Sequence, residues 1–334
     1  MHLILTLLIS ILLAAILVRI LREAKIPSVV TLILFGLVIG YPAVSEFIIG
    51  HHEEVIIVVG DAGLIALMFL AGLESDWKLL LKEKKEAFTI AILALVVPFV
   101  LALAVIPLWG YSFRIAFIIG VAVSISAEAT RAKVLMELRK LRTKLGAALV
   151  GAGIVDDVLG LTLFLIITFI FGTGHYLEDL LIVGSIAAFF LGVVIQKKIG
   201  RDNNVMKISE KTLNILIIPF FFISIGLKFD FDSLIVNPLL MLSIIALAFT
   251  GKFIGAFSTK PFLPLTTRQL WLVGWSMNSR GALELAVALI AFNSDLINVE
   301  LYSSLIIMAL VTTLSFPFVL YRMVGKDESI MDEE

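Results

Sequence analysis

Eleven predominantly apolar stretches, near 3–21, 27–49, 55–76, 87–109, 114–136, 144–171, 177–197, 211–227, 237–259, 268–292 and 301–323, account for most of this 334-residue chain. Each approaches the roughly 20 residues that a helix needs to cross a bilayer. Hydrocarbon offers the backbone no water, so spanning segments are helices or the strands of a closed barrel. None of these stretches alternates with a two-residue period between turn signals, which excludes the barrel. Hydrophobic residues make up 60% of the chain and charged ones only 16%. Soluble chains carry nearer a quarter charged, so this one could not cover a water-facing surface. The fold expected is an all-α polytopic membrane protein in a lipid bilayer.

Basic residues in the connections test the number of crossings, because cytoplasmic loops collect Lys and Arg. Arg19, Arg22 and Lys25 follow the first segment, and Lys78, Lys82, Lys84 and Lys85 the third. Arg139, Lys140, Arg142 and Lys144 follow the fifth, and Lys197, Lys198, Arg201, Lys207 and Lys211 the seventh. Lys260 and Arg268 follow the ninth, and Arg322 and Lys326 close the last. The alternate connections hold only Arg114 and Lys228. This pattern expects the N-terminus outside and the C-terminus in the cytoplasm, in a multi-pass protein of the cell membrane. The first segment carries its charges after its apolar run, unlike a cleaved signal peptide. Residues 325–334 read as a short acidic cytoplasmic tail in solvent, with no soluble regulatory domain. A net charge of −1 gives nucleic acid nothing to bind. With no Cys, disulfides, thiolate metal sites and a cysteine nucleophile are excluded together.

The chain repeats itself upside down. The third segment ends Gly72-Leu73-Glu-Ser-Asp76 on the inner side, and the eighth ends Gly226-Leu227-Lys-Phe-Asp230 on the outer. Two segments later in each half, polar residues interrupt the apolar run. In the fifth these are Ser124, Ser126, Glu128, Thr130 and Arg131; in the tenth they are Asn278, Ser279, Arg280 and Glu284. Inverted repeats with broken helices at matching places point to a secondary transporter whose site lies between the halves. The halves are expected at 1–171, ending with the sixth helix, and 172–324, a shortened second repeat.

An ionisable residue in mid-bilayer costs roughly 2.5–3.5 kcal/mol on insertion scales and so marks function by default. The sixth segment holds two at its centre, in Gly153-Ile-Val-Asp156-Asp157. Neighbours on a helix point about 100° apart, so the two aspartates face different partners. One can bind a cation while the other is neutralised by a base, for which Lys252, deep in the ninth segment, is the candidate. Unwound carbonyls in the breaks can coordinate a cation, and Ser126 and Thr130 add hydroxyl oxygens that suit hard cations such as Na⁺. The other reading of such hydroxyls is back-bonding to their own helix. Glu128 with Arg280, and Arg131 with Glu284, can pair across the crossing as architecture. His2, His51, His52 and His175 all fall on outer loops or the outer terminus, so carboxylates must carry any proton.

At these residues the chain resembles the monovalent cation:proton antiporter family, in particular its NapA-type sodium/proton exchangers. The resemblance runs over nearly the whole chain and includes Gly63 to Glu74, Gly153 to Asp157, Ile218 to Leu227, Gly251-Lys252 and Asn278 to Glu284. It implies that Asp157 carries the cation and the proton, holding Na⁺ as cargo, and that Asp156 pairs with Lys252. The paired aspartates imply electrogenic exchange, with more protons than sodium ions moved per cycle. The family usually has about thirteen helices. The two missing here are placed at the linker between halves and at the partner of the first helix, a region that helps form the family's dimer interface. A homodimer is then expected only where the remaining helices supply that interface. Glu128 and Arg131 stand where relatives more often carry Ser or Thr.

The expected activity is exchange of Na⁺ or Li⁺ for protons by alternating access, with no cofactor and no enzymatic reaction. Potassium/proton exchange or potassium efflux in the same fold is the alternative, and a transport-inactive membrane sensor or scaffold is the alternative of another class. An intramembrane aspartyl protease needs its aspartates on facing helices, which adjacent residues on one helix cannot provide.

Overall fold

The computed structural model describes residues 3–49, 52–74, 85–171, 176–199 and 204–331. Asp76, Lys78, Lys82, Lys84, Arg201, His2, His51 and His175 lie outside them. All regular structure among the described residues is helical, and the helices fall on the anticipated segments. Among the described residues, eight spans are long and apolar enough to cross a membrane by length and composition, and Ser28–Gly40, Phe113–Ser124 and Ala282–Asn293 are shorter apolar helices. The eighth segment begins earlier than the apolar run, at Asn204. Its two helices, Asn204–Leu216 and Ile218–Leu227, meet at Ile217 just ahead of Pro219, whose ring tolerates only the first turn of a helix.

The chain divides into two compact units, Met1–Asp76 with Gly172–Phe229, and Trp77–Phe171 with Asp230–Glu334. Each unit draws one stretch from either half of the repeat, so the compact bodies cut across 1–171 and 172–324.

In the first unit the repeat shows in the glycines. A Cβ on Gly72 would fall 2.1 Å from Phe189 O, and one on Gly192 2.3 Å from Phe69 O. A Cβ on Gly36 would fall 2.2 Å from Ile223 O, and one on Gly226 2.4 Å from Ile33 O. Glu53–Glu74 thus crosses Tyr176–Ile199 backbone on backbone, as Ile218–Leu227 crosses Ser28–Gly40. Between helices in lipid there is little hydrophobic drive, and such close approach supplies the packing instead. Gly36→Ala is expected to cost about 1–3 kcal/mol, because its methyl group meets backbone that cannot step aside. Gly184→Ala is the control, since its Cβ would meet only Ile65 Cδ1 at 3.5 Å. Melting of the purified variants in detergent checks this, and equal melting temperatures for both would contradict it.

Among the described residues, the second unit is built around two discontinuous helices and four long continuous ones, Lys85–Val105, Lys144–Phe171, Pro238–Phe257 and Val299–Lys326. Gly251 and Gly255 bring Pro238–Phe257 against Lys85–Val105, where their Cβ atoms would lie 2.5 Å from Pro98 Cβ and 2.6 Å from Leu93 O. On its other side Phe253 meets Trp275 edge-on, with ring centroids 5.3 Å apart. The end of the chain corrects the solvated tail expected above. Ile330 and Met331, in the turn Glu328–Met331, are buried in a cluster with Leu145, Leu149, Phe316 and Val324. Arg268 holds Asp327 at 2.9 Å. The two apolar residues among the tail acids have a core to join, which charge counting overlooks.

Candidate functional site

Each broken helix stops where its sequence turns polar. Phe113–Ser124 and Glu128–Glu137 are separated by Ile125, Ser126 and Ala127. Thr267–Ser276 and Ala282–Asn293 are separated by Met277 to Gly281. A capping box between Thr266 and Gln269 fixes the start of the second pair by satisfying two orphan donors reciprocally. The breaks meet each other: the Ala127 N–H donates to Ser279 O at 2.9 Å, and the Ser279 hydroxyl donates to Ala127 O at 2.8 Å.

Resident cations occupy the carbonyls that unwinding frees. The Lys252 ammonium donates to Ser124 O and to Ser126 Oγ, the latter at 2.7 Å. Arg280 Nη1 donates to Ile125 O at 2.5 Å. The carbonyls of Ser124, Ile125 and Ala127 thus each already accept a hydrogen bond, from Lys252, Arg280 and Ser279. Ser126 is the hub of the first break. Its hydroxyl accepts from Lys252, and its N–H donates to Asp156 Oδ2 at 2.7 Å. Asp156 and Lys252 therefore meet through Ser126, and Asp156 is the acid whose charge attracts Lys252 most. Ser124 instead back-bonds to Gly120 O at 2.5 Å.

The charge pairing differs from the crossing pairs anticipated above. Arg280, in the break, faces Glu284 in the first turn of Ala282–Asn293 at 3.6 Å, and its backbone N–H donates to Thr313 Oγ1 at 3.2 Å. Arg131 reaches the second break, where Nη1 lies 2.8 Å from Met277 Sδ and 3.5 Å from Ser276 O. The acids whose charges act on it are Asp156, Glu128 and Asp157. Asp156 is fully buried, whereas Asp157, Glu128 and Thr130 are half-buried. Thr130 sits in the first turn after the break.

Asp156, Asp157, Glu128 and Glu284 thus stand with Lys252, Arg131 and Arg280 in one unit, four acids with three bases. Lys133, on the helix after the first break, is exposed. Three participants escaped the sequence reading. Gly153 was seen only as part of a motif, yet its missing side chain makes room for Glu128 and Arg131. Ser279 was read as a break residue and is the clasp between breaks. Thr313 had no signal, being one of many hydroxyls in the last helix.

Known proteins resemble this chain along most of its length. A family model described as sodium/hydrogen exchanger, transmembrane, matches residues 7–185 and 178–325. A Na(+)/H(+) antiporter of Enterococcus hirae is 28% identical, with 90% of this chain aligned to 92% of the relative. The Na(+)/H(+)-K(+) antiporter GerN of Bacillus cereus is 25% identical, over 91% and 92%. Both alignments, at 364 and 359 residues, are longer than this chain of 334, so the relatives hold internal positions that it lacks. The sodium proton antiporter MjNhaP1 of Methanocaldococcus jannaschii has a similar fold, with TM-score 0.66, 14% identity, and 97% and 96% of the two chains covered.

Proposed function

This chain belongs to the sodium/hydrogen exchanger family, and from that premise we propose that it exchanges Na⁺ or Li⁺ for protons, with Asp157 as the carrier. The observation that carries this reading is the first break, where the Ser126 N–H donates to the fully buried Asp156 and the Ser126 hydroxyl accepts from Lys252, with Asp157 next in the chain and half-buried. A carboxylate in mid-bilayer marks function by default, and Asp157 is the less enclosed of the two aspartates. Na⁺ and H⁺ then compete for one carboxylate, and one must leave before the other binds. All these residues belong to one compact unit, so the site can change its exposure as a body, as alternating access requires. The Asp156–Asp157 pair supports electrogenic exchange. The loop charges support an outer N-terminus and a cytoplasmic C-terminus in the cell membrane, and no cofactor is needed.

Purified protein in liposomes, with an imposed pH gradient and an internal pH dye, tests the reading. NaCl and LiCl should collapse the gradient and choline chloride should not. Collapse by KCl alone would keep the chemistry and change the cargo, an outcome given weight by the printed name of the Bacillus cereus relative. No response to any of these cations across a broad pH range would overturn exchange and leave a sensor or scaffold.

A further inference from the structure

Two of the three buried bases have strong acceptors, since Lys252 and Arg280 sit on carbonyls of the first break. Arg131 does not. It is 0% exposed, its Nε and Nη2, like those of Arg280, have no hydrogen-bond partner, and its one carbonyl contact, to Ser276 O, is long at 3.5 Å where that of Arg280 is 2.5 Å. Its Nη1 rests mainly on the sulfur of Met277, a weak acceptor. A guanidinium left so unsatisfied carries a penalty for each idle donor. It is held there by charge, and the acids acting on it are Asp156, Glu128 and Asp157.

The position of Arg131 relative to the carrier follows from one glycine. A Cβ on Gly153 would lie 2.4 Å from Arg131 Nη2 and 2.4 Å from Glu128 Cγ, so both side chains lie against the aspartate helix at that point. Gly153 precedes Asp157 by four residues. That is about one turn, roughly 6 Å along the axis, and on the same face of the helix. A fixed cation and its fixed counter-charge therefore flank the carrier from one side.

Building on the Asp157 reading, we propose that Arg131 is a tethered cation that opposes the transported ion at Asp157, with Glu128 as its offset, so that this pair sets the cation affinity of the exchanger. A cation on Asp157 adds its charge close to the guanidinium, which favours release. Glu128 shields part of that field and keeps binding possible. Without Arg131 the site would hold its cargo tightly and let it go slowly. A unit charge about 7 Å away at an effective dielectric near 20 shifts a binding constant by at least tenfold.

Two readouts on the wild type, Arg131→Gln, Glu128→Gln, the double variant and Arg131→Lys test the proposal. One is the half-saturating NaCl concentration for exchange in liposomes. The other is stabilisation of the purified proteins by NaCl, LiCl or KCl over choline chloride, which requires binding but not transport. Arg131→Gln should lower the half-saturating concentration about tenfold or more, and also lower the maximal rate. Glu128→Gln should raise that concentration by a similar factor. The double variant should return towards wild type, and Arg131→Lys should stay within about threefold of it. Each variant is compared with its own melting in choline chloride, so loss of packing does not imitate the result. Single variants that lose maximal rate at unchanged half-saturation, or that shift it in the same direction, would overturn the role of Arg131 and leave the Asp157 reading standing. A wild type that neither exchanges cations nor is stabilised by any of them would overturn both.

Discussion

Asp157→Asn is expected to reduce cation-driven proton movement to the level of empty liposomes while leaving the protein folded. Asn has the same shape but neither releases a proton nor offers a negative charge. Asp157 is half-buried, so an isosteric replacement should leave the melting temperature in choline chloride near that of the wild type, and should abolish the stabilisation that NaCl gives the wild type. Asp156→Asn makes the contrast, because Asp156 Oδ2 accepts the Ser126 N–H at 2.7 Å. That variant should melt lower. Exchange retained in Asp157→Asn would remove Asp157 as the carrier, whatever happened to stability.

Lys252→Ala should be the most destabilising single change in the site. The lysine is fully buried and its ammonium holds Ser124 O and Ser126 Oγ, two groups that the broken helix cannot satisfy itself. Removing it strands both and leaves Asp156 without one of the bases it acts on, and breaking one side of a buried charge pair costs about 3–5 kcal/mol. In a protein of this size that corresponds to a fall in melting temperature on the order of 10 °C. Because Ser126 links base and acid, the double variant Lys252→Ala with Asp156→Asn should recover part of the loss. Residues coupled through a shared partner are not additive. In transport, the pH profile should move more than the dependence on Na⁺, since the carrier proposed above is Asp157. A melting temperature within about 2 °C of wild type would show that Lys252 does not hold the break together.

The helices and their broken pair were legible in advance because membrane interiors make local rules strong. Each spanning stretch must satisfy its own backbone, so apolar length marks Lys144–Phe171 or Val299–Lys326 from the sequence alone. Charges are costly there, so Asp156, Asp157, Lys252 and the residues of the two breaks stood out as a site before any distance was known. The partners did not. Nothing in the spacing says that Ser126 would stand between Asp156 and Lys252, or that Arg280 would turn to Glu284 and Ile125 O. The glycine crossings of Gly36 with Gly226 and Gly72 with Gly192 are equally silent, because a glycine in an apolar helix looks the same whether or not another backbone lies against it. Even the tail misled, since its acids promised solvent while Ile330 and Met331 went into the core.

The sequence by itself determined that this chain is a bundle of membrane helices in two inverted parts, with a set of buried charges at two interrupted helices. Those properties follow from hydrogen bonding within a segment and from the cost of charge in hydrocarbon, both of which act residue by residue. Only the tertiary structure decided which base answers which acid, which carbonyls are already taken, and that Gly153 leaves Glu128 and Arg131 lying one turn from Asp157. Those are matters of angle and distance between helices far apart in the chain, and over a few ångströms electrostatic energies change too steeply for residue order to report them.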